Sequence, residues 1–169
     1  MRLTSILTVA AALGAVSISV PASAANTATA NGRALLLLPL TLTKEQDLDF
    51  GTVVSSSTAG TVTVYADGVT SRSSTGGVTK VASADGERAL FAWAGTPGQS
   101  VTFSITSTPA SLDNGAQSVP VSLLYVQPTS AIVDGTGVVE VGVGGSISIG
   151  ANQAEGTYTN TFDITADYP

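Results

Sequence analysis

Apolar and polar residues alternate along the end of the chain, from Tyr158 onward. One face of this pattern carries Phe162, Ile164, Ala166 and Tyr168, while threonine and aspartate occupy the other. A period of two is the signature of a β-strand with one face on a core. Because an uncovered strand edge exposes unpaired backbone groups, the sequence predicts a neighbouring strand or some other cover for this segment.

Similar short runs of β-branched and aromatic residues recur along the chain, separated by turn-forming pairs such as Asp67-Gly68 and Asn114-Gly115. No stretch shows an apolar stripe with the period of a helix. This spacing predicts an all-β protein, either an antiparallel sandwich or a barrel. The predicted strands before the last one begin at Leu48, Gly60, Val78, Arg88, Ser100, Ser118, Gly137 and Gly145. In the run from Ser118, alternation assigns one face to Val119, Val121, Leu123 and Tyr125.

A second long alternating pattern begins early in the chain. Its even positions are all apolar or small: Ala28, Ala30, Gly32, Ala34, Leu36, Leu38, Leu40 and Leu42. At about 3.3 Å per residue the pattern would span about 50 Å, which is longer than a common strand. We therefore divide it into two segments.

The later segment, Leu35 to Thr43, is predicted to be the first strand of a β-sandwich domain over residues 35–169, with Pro39 marking a kink or an edge position. The earlier segment, residues 25–34, is an N-terminal extension. It is either a disordered leader, since alanine, threonine and asparagine bury little surface, or a strand that can pair elsewhere.

The first 24 residues have the organisation of a secretory signal peptide. Arg2 is followed by an apolar run from Leu3 to Val20 and by the small residues Ala22-Ser23-Ala24. The alternative is a membrane anchor, but polar residues interrupt the run and Pro21 follows it. We expect export, cleavage after Ala24 and no transmembrane segment in the remaining chain.

Composition narrows the possible functions. The chain has no cysteine and no histidine, and its formal net charge is -6. Stability must then come from packing and strand pairing without disulfides, and histidine-dependent catalysis and metal ligation are excluded. The acidic balance also argues against a nucleic-acid partner.

Two groups of acidic residues nevertheless suggest chemistry. Asp47 and Asp49 flank Leu48 and would share one strand face, as a glycosidase carboxylate pair requires, but no helper base or aromatic platform accompanies them. The loops at Asp113 to Gly115 and at Asp134-Gly135 could offer oxygen ligands to calcium, but their spacing matches ordinary turn chemistry better. We expect no enzyme activity, no metal site and no cofactor.

Phe91 and Trp93 could form a sugar-stacking platform. They share one face of a strand-like run, so core packing is the preferred interpretation.

The end of the chain resembles the C-terminal pattern of bacterial pilins assembled by the chaperone-usher route. Gly156 is the fourteenth residue from the carboxyl end, Tyr168 is penultimate, and alternating apolar residues lie between them. More of the chain is similar to a secreted bacterial family of unknown function that is related to the spore-coat U and alternative fimbrillin proteins. The similar segments are DLDFGTV from Asp47, FAWAG from Phe91 and VGVGGSISIGANQAEGTY from Val141.

This resemblance implies an immunoglobulin-like antiparallel β-sandwich that lacks one strand and is completed by a donated strand. It implies a subunit of an adhesive fimbria or pilus-like filament that polymerises by donor-strand exchange. The implied partners are identical or related subunits, a periplasmic chaperone and an outer-membrane usher, and the implied location is the periplasm and then the cell surface. The expected subunit-interaction residues are Ala28, Ala30, Gly32, Ala34, Gly156, Tyr158, Phe162, Ile164 and Tyr168.

Two features leave other interpretations open. Many pilins carry a disulfide, which this cysteine-free chain cannot form. The extension could also fold back into its own domain, which would give a self-complemented secreted or envelope binding module.

Overall fold

The computed structural model describes residues 27–70 and 72–169, and the predicted signal peptide lies outside them. The chain divides into a unit that ends at Leu35 and a larger unit, Leu36–Pro169. Within the described residues the regular structure is entirely β. The strands are β1 (Thr41–Gln46), β2 (Val53–Val54), β3 (Gly60–Val64), β4 (Ser73–Gly76), β5 (Thr79–Lys80), β6 (Ala89–Ala94), β7 (Ser100–Ser107), β8 (Ser111–Asp113), β9 (Ser118–Gln127), β10 (Ser130–Ile132), β11 (Val138–Ile149) and β12 (Asp163–Asp167).

The larger sheet is built around β11. Gly142 pairs with both β6 and β9, and Gly145 pairs with both β3 and β9. Since a strand has two edges, β9 lies along one edge of β11, while β6 and β3 follow each other along the other edge. β1 extends the sheet beyond β6, β4 extends it beyond β3, and β8 extends it beyond β9.

The smaller sheet has the order β10-β7-β12, and all its pairings are antiparallel. Ile164 of β12 pairs with Ile105, and Ala166 pairs with Phe103. Within the described part of the chain β12 pairs only with β7, so it is an edge strand. A separate two-stranded ribbon joins β2 to β5.

Two apolar clusters form the core. The inter-sheet core lies between β6 and β11 of the larger sheet and β7 and β12 of the smaller sheet. Its buried members are Ala89, Phe91, Trp93, Val101, Phe103, Val133, Val139, Val141, Val143 and Ile164. The second core lies against β3, β9 and the end of β11, and its buried members are Phe50, Val62, Val64, Val78, Val119, Ile147 and Ile149.

This architecture confirms the predicted all-β antiparallel sandwich. The core positions of Phe91 and Trp93 are confirmed as well, since both rings are buried and Trp93 packs against Phe103 with ring centroids 5.9 Å apart. The two strands predicted from Gly137 and Gly145 are a single strand, β11, because its glycines are paired within the ladder and do not end it.

The bounds predicted for the first and last strands are wrong. The first strand begins at Thr41, not Leu35. Pro39 has no N–H to donate to a ladder, and the N–H of Leu38 donates instead to the side-chain oxygen Thr96 Oγ1 (2.7 Å). The last begins at Asp163, not Tyr158. Before it, the side chain of Asn160 donates to Ser111 O (2.8 Å) and accepts from the Thr161 N–H (2.8 Å), which diverts the backbone from the ladder.

The face assignment along β9 is also wrong beyond Val121. Val121 pairs with Ile147 and Leu123 with Ser146, so Ser122 is an extra residue in the ladder. Such a bulge moves the following side chains to the other face of the sheet. Leu123 is therefore 51% exposed, and Leu124 takes the inner position that the sequence pattern gave to Leu123.

Gly144 allows β11 to pass close to the end of β3. A Cβ on Gly144 would lie 2.5 Å from both Ala66 N and Val64 O, which are backbone atoms that cannot rotate away. We expect Gly144→Ala to lower the free energy of unfolding by about 3 kcal/mol, measured by urea denaturation, because the strands must separate. Gly135→Ala is the control, since no atom lies within 4 Å of its added Cβ, and it should be close to neutral. Equal stabilities for the two variants would contradict this account.

Candidate functional site

An apolar cleft of about 1120 Å³ opens beside the second core. One wall contains Lys44 and residues 47–55, which follow β1. The other wall is the segment 153–162, which precedes β12. The cleft therefore lies between the chain leaving the first strand and the chain approaching the last strand.

The floor of the cleft consists of side chains that would be interior in a closed sandwich. They come from β6, β8, β9 and β11, and several belong to the second core. The floor side chains are Ala89, Phe91, Leu112, Val119, Val121, Leu124, Ile147 and Ile149. Five of these eight side chains are buried and the other three are half-buried, so core residues line the cleft directly.

Backbone hydrogen bonds pair the first wall with the chain behind it, and at its end the Ser55 hydroxyl donates to Gln153 O of the second wall (3.0 Å). Asp49 and Glu87 exchange two backbone hydrogen bonds of 2.8 Å, and the Thr52 N–H donates to Ala84 O (3.0 Å). Further along, Val53 pairs with Lys80. These bonds fix the position of the wall from behind.

Arg72 holds this wall from inside the protein. Its side chain is 1% exposed, and its guanidinium donates to Phe50 O (2.6 Å), Thr52 O (3.2 Å), Val81 O (3.3 Å) and Asp85 Oδ1 (3.3 Å). One buried group thus joins the wall to the loop behind it. Sequence reasoning missed Arg72, because it lies in a polar run, SRSSTGG, without apolar periodicity.

The second wall has few backbone hydrogen bonds. Between residues 154 and 162 the only backbone pair in the described chain is the reciprocal one between Thr159 and Asp113, at 3.0 Å each. Tyr158 steadies the wall by donating from its hydroxyl to Ala154 O (2.8 Å) and by packing on the second core. Most N–H and C=O groups along this wall therefore make no backbone hydrogen bond within the described residues.

Gly156 begins the C-terminal pattern and has a backbone that requires glycine. Its φ is +146°, and an added Cβ would lie 2.8 Å from Asn114 Nδ2. Because L side chains rarely adopt this conformation, glycine suits the position for a local structural reason.

The remaining predicted C-terminal residues lie on one face of the chain. Phe162, Ile164 and Tyr168 all contact the inter-sheet core, and Ile164 is 8% exposed. Phe162 also lines the cleft and meets the ring of Phe91 edge-on, with centroids 6.2 Å apart. The structure thus brings the C-terminal candidates together along the cleft and β12.

The N-terminal candidates Ala28, Ala30, Gly32 and Ala34 are exposed and lie outside any strand. They belong to the unit that ends at Leu35. Their predicted role in subunit contact stays a prediction.

The penultimate residue, Tyr168, hydrogen-bonds to the segment that precedes β1. The hydroxyl of Tyr168 accepts from the Thr96 N–H (2.8 Å) and donates to Leu38 O (2.9 Å). Gly95 makes room for the ring, since a Cβ there would lie 2.7 Å from the Tyr168 hydroxyl. Leu38 is consequently held at the far end of β12 from the cleft.

The rim of the cleft is acidic. Its charged residues are Lys44, Asp47, Asp49, Asp85 and Glu155, so one positive and four negative charges give a formal net charge of -3. Lys44 is already paired with Asp47 at 2.6 Å, and Asp49 Oδ1 accepts from the Gly51 N–H (2.7 Å). The two aspartates that resembled a catalytic pair thus each have a local partner.

The other loop carboxylates also have turn partners. The hydrogen bond from the Thr136 hydroxyl, aided by its N–H, holds the pKa of Asp134 below its ordinary value. Asp113 accepts from the Ser111 hydroxyl (3.2 Å). In the described ranges no cluster of three potential metal-ligating His, Cys, Asp or Glu side chains occurs. Those ranges also contain no helix long and apolar enough to span a membrane.

Among the comparisons with known proteins, only the family models give a match. No curated protein and no solved structure is significantly similar to the chain. The model of the family described as "Domain of unknown function (DUF4402)" matches residues 40–168, which include all strands of the described residues and both walls of the cleft, and the chain belongs to this family.

Proposed function

We propose that this protein is a structural subunit of a fimbria-like or pilus-like surface filament, which polymerises by donor-strand exchange. The observation that carries the proposal is the cleft, where core side chains line the floor and one wall makes few backbone hydrogen bonds. A donated β-strand satisfies both at once, since its main chain supplies hydrogen bonds and its alternate side chains fill the floor. No small ligand does so along a whole strand edge.

The path of the chain favours donation between subunits over completion within one. Tyr168 holds Leu38 at one end of β12, whereas the cleft begins beyond the other end, at Phe162. Those ends are about 16 Å apart at 3.3 Å per residue. A segment upstream of Leu38 would have to reverse direction and run back along β12 to reach its own cleft. A segment from a neighbouring subunit is not tied to this end of β12 and can enter the cleft from outside.

Head-to-tail donation repeats without closing, because the donating segment and the accepting cleft are different surfaces. The result is a filament. In this proposal the exported subunit first receives a strand from a periplasmic chaperone, and an outer-membrane usher then directs exchange for the segment of the next subunit. The resemblance to spore-coat U and alternative fimbrillin proteins belongs to the same proposal.

The test replaces residues 27–36 with a glycine-serine segment of equal length, which removes the donor side chains but keeps the length of the chain. The variant and the unchanged protein are exported from a Gram-negative host and compared on unboiled gels. We expect the unchanged protein to form a ladder of heat-resistant multimers and the variant to remain monomeric. Circular dichroism should show the same β content for both.

A monomeric unchanged protein that is stable without any partner would sink the proposal and favour the self-complemented module. An undiminished multimer ladder from the variant would show that residues 27–36 are not the donor segment.

A further inference from the structure

The side chains of the donor segment, residues 27–36, can be matched to the floor and the rim of the cleft. Leu36 is 86% exposed, whereas the preceding even positions carry only alanine or glycine. The floor of the cleft presents branched side chains, including Val121, Leu124 and Ile147, around a space of about 1120 Å³. Small side chains cannot fill such a space, so Leu36 is the suited anchor.

Charge also limits how the donor segment can lie in the cleft. Residues 27–36 contain one charged side chain, Arg33, which is exposed. The rim of the cleft has a formal net charge of -3. In an extended strand Arg33 and Leu36 point to opposite faces, because side chains alternate. With Leu36 on the floor, Arg33 faces the mouth of the cleft, where the carboxylates lie.

Among the rim acids, Glu155 is the available partner. Asp47, Asp49 and Asp85 each have a hydrogen-bond or ion-pair partner of their own. In the part of the chain that the structure describes, the side chain of Glu155 makes no hydrogen bond and no ion pair. It also lies on the second wall, which makes few backbone hydrogen bonds within the described residues.

We propose that the register of subunit contact is set by two residues of the donor, with Leu36 anchored on the cleft floor and Arg33 paired with Glu155 of the next subunit. This inference rests on the proposed function. It assigns the occupant of the cleft as a second copy of this chain and makes assembly dependent on charge. A pair at the rim acts mainly on the rate of encounter and on its sensitivity to salt.

The test uses the full chain and measures the rate at which multimers form from exported monomer. We expect Arg33→Glu to slow assembly about tenfold, and Glu155→Arg to slow it similarly, since each places like charges together. The double variant that exchanges the two charges should recover to within about twofold of the unchanged protein. Arg33→Lys is the conservative control. Added salt should slow the unchanged protein and have little effect on Arg33→Gln.

Leu36 is tested separately with Leu36→Asp and Leu36→Met. The aspartate variant should lose multimers, whereas methionine should keep them, because it is apolar and of similar volume. Arg33 and Leu36 are both exposed, so the thermal midpoint of the monomer should not change. Loss of assembly then reports on contact between subunits.

The outcomes separate this inference from the proposed function. If Arg33→Glu assembles at the normal rate while the glycine-serine replacement still abolishes multimers, the charge register is wrong and donor-strand exchange stands. If the double variant shows no recovery, Glu155 is not the partner and the inference is overturned. If the replacement itself has no effect, residues 27–36 are not the donor segment and this inference is overturned with that assignment.

Discussion

Arg72→Ala should lower the free energy of unfolding by about 3–5 kcal/mol, because it removes a buried cation that satisfies several backbone acceptors. The guanidinium bonds to Phe50 O, Thr52 O and Val81 O, and its side chain is 1% exposed. Truncation leaves Phe50 O without a donor, removes one of the two donors to Thr52 O and to Val81 O, and opens a cavity between the first wall and the loop behind it. Urea denaturation of the exported protein measures the change.

The control is Asp85→Asn, at the other end of the same ion pair. The Asp85 side chain is 73% exposed, so its loss should cost about 1 kcal/mol or less. Arg72→Lys should retain little of the stability, since one ammonium group cannot reach acceptors spread over three residues. If Arg72→Ala were as stable as Asp85→Asn, the backbone contacts of the guanidinium would not contribute as described.

Much of the fold follows from local patterns in the sequence. The end of the chain, from Phe162 through β12 to Tyr168, places Phe162, Ile164 and Tyr168 against the inter-sheet core, as their alternation predicted. This works because the period of two in a strand directly encodes which face is buried. Phe91 and Trp93 could be assigned to the core for the same reason.

The pattern fails where the ladder is irregular. Ser122 adds one residue to β9, and this moves Leu124 to the inner face in place of Leu123. The residues SLLYV do not indicate the bulge, because leucine can occupy either the inner or the outer face of the strand. The buried position of Arg72 was equally invisible, since its acceptors are backbone carbonyls that come together only in the folded chain.

The cleft itself could be anticipated only in part. The sequence indicated that the last strand needed a neighbour, and among the described strands β12 has one neighbour, β7. What the pattern could not place was the opening, which lies before β12, along residues 153–162. That position depends on Asn160 and Gly156, whose local hydrogen bonds and φ keep this segment out of regular pairing.

Arg72 connects the stability of the domain to the shape of the cleft. It anchors the backbone of Phe50 and Thr52, which line the first wall. The wall must keep its position without a strand in the cleft if the site is to accept one later. A buried cation with several acceptors provides that rigidity, because moving the wall would break several bonds together.

Leu124→Asp should abolish multimer formation while the monomer remains folded. Leu124 lines the cleft and is only half-buried in the monomer, so an aspartate there stays hydrated until a strand is donated. Donation would then bury a carboxylate beneath an apolar side chain, beside a rim that is already acidic. Such an unpaired charge costs about 3 kcal/mol or more, which corresponds to a loss of about a hundredfold or more in association.

Leu123→Asp is the matched control, because it makes the same chemical change one residue earlier on the same strand. Leu123 is 51% exposed on the opposite face of β9, and it does not line the cleft. We expect this variant to keep the ladder of multimers on unboiled gels, and both variants to unfold within about 1 kcal/mol of the unchanged protein. Equal assembly of the two would mean that the cleft floor is not the subunit contact. A difference confined to Leu124 would identify the bulge at Ser122 as the feature that decides which leucine meets the neighbouring subunit.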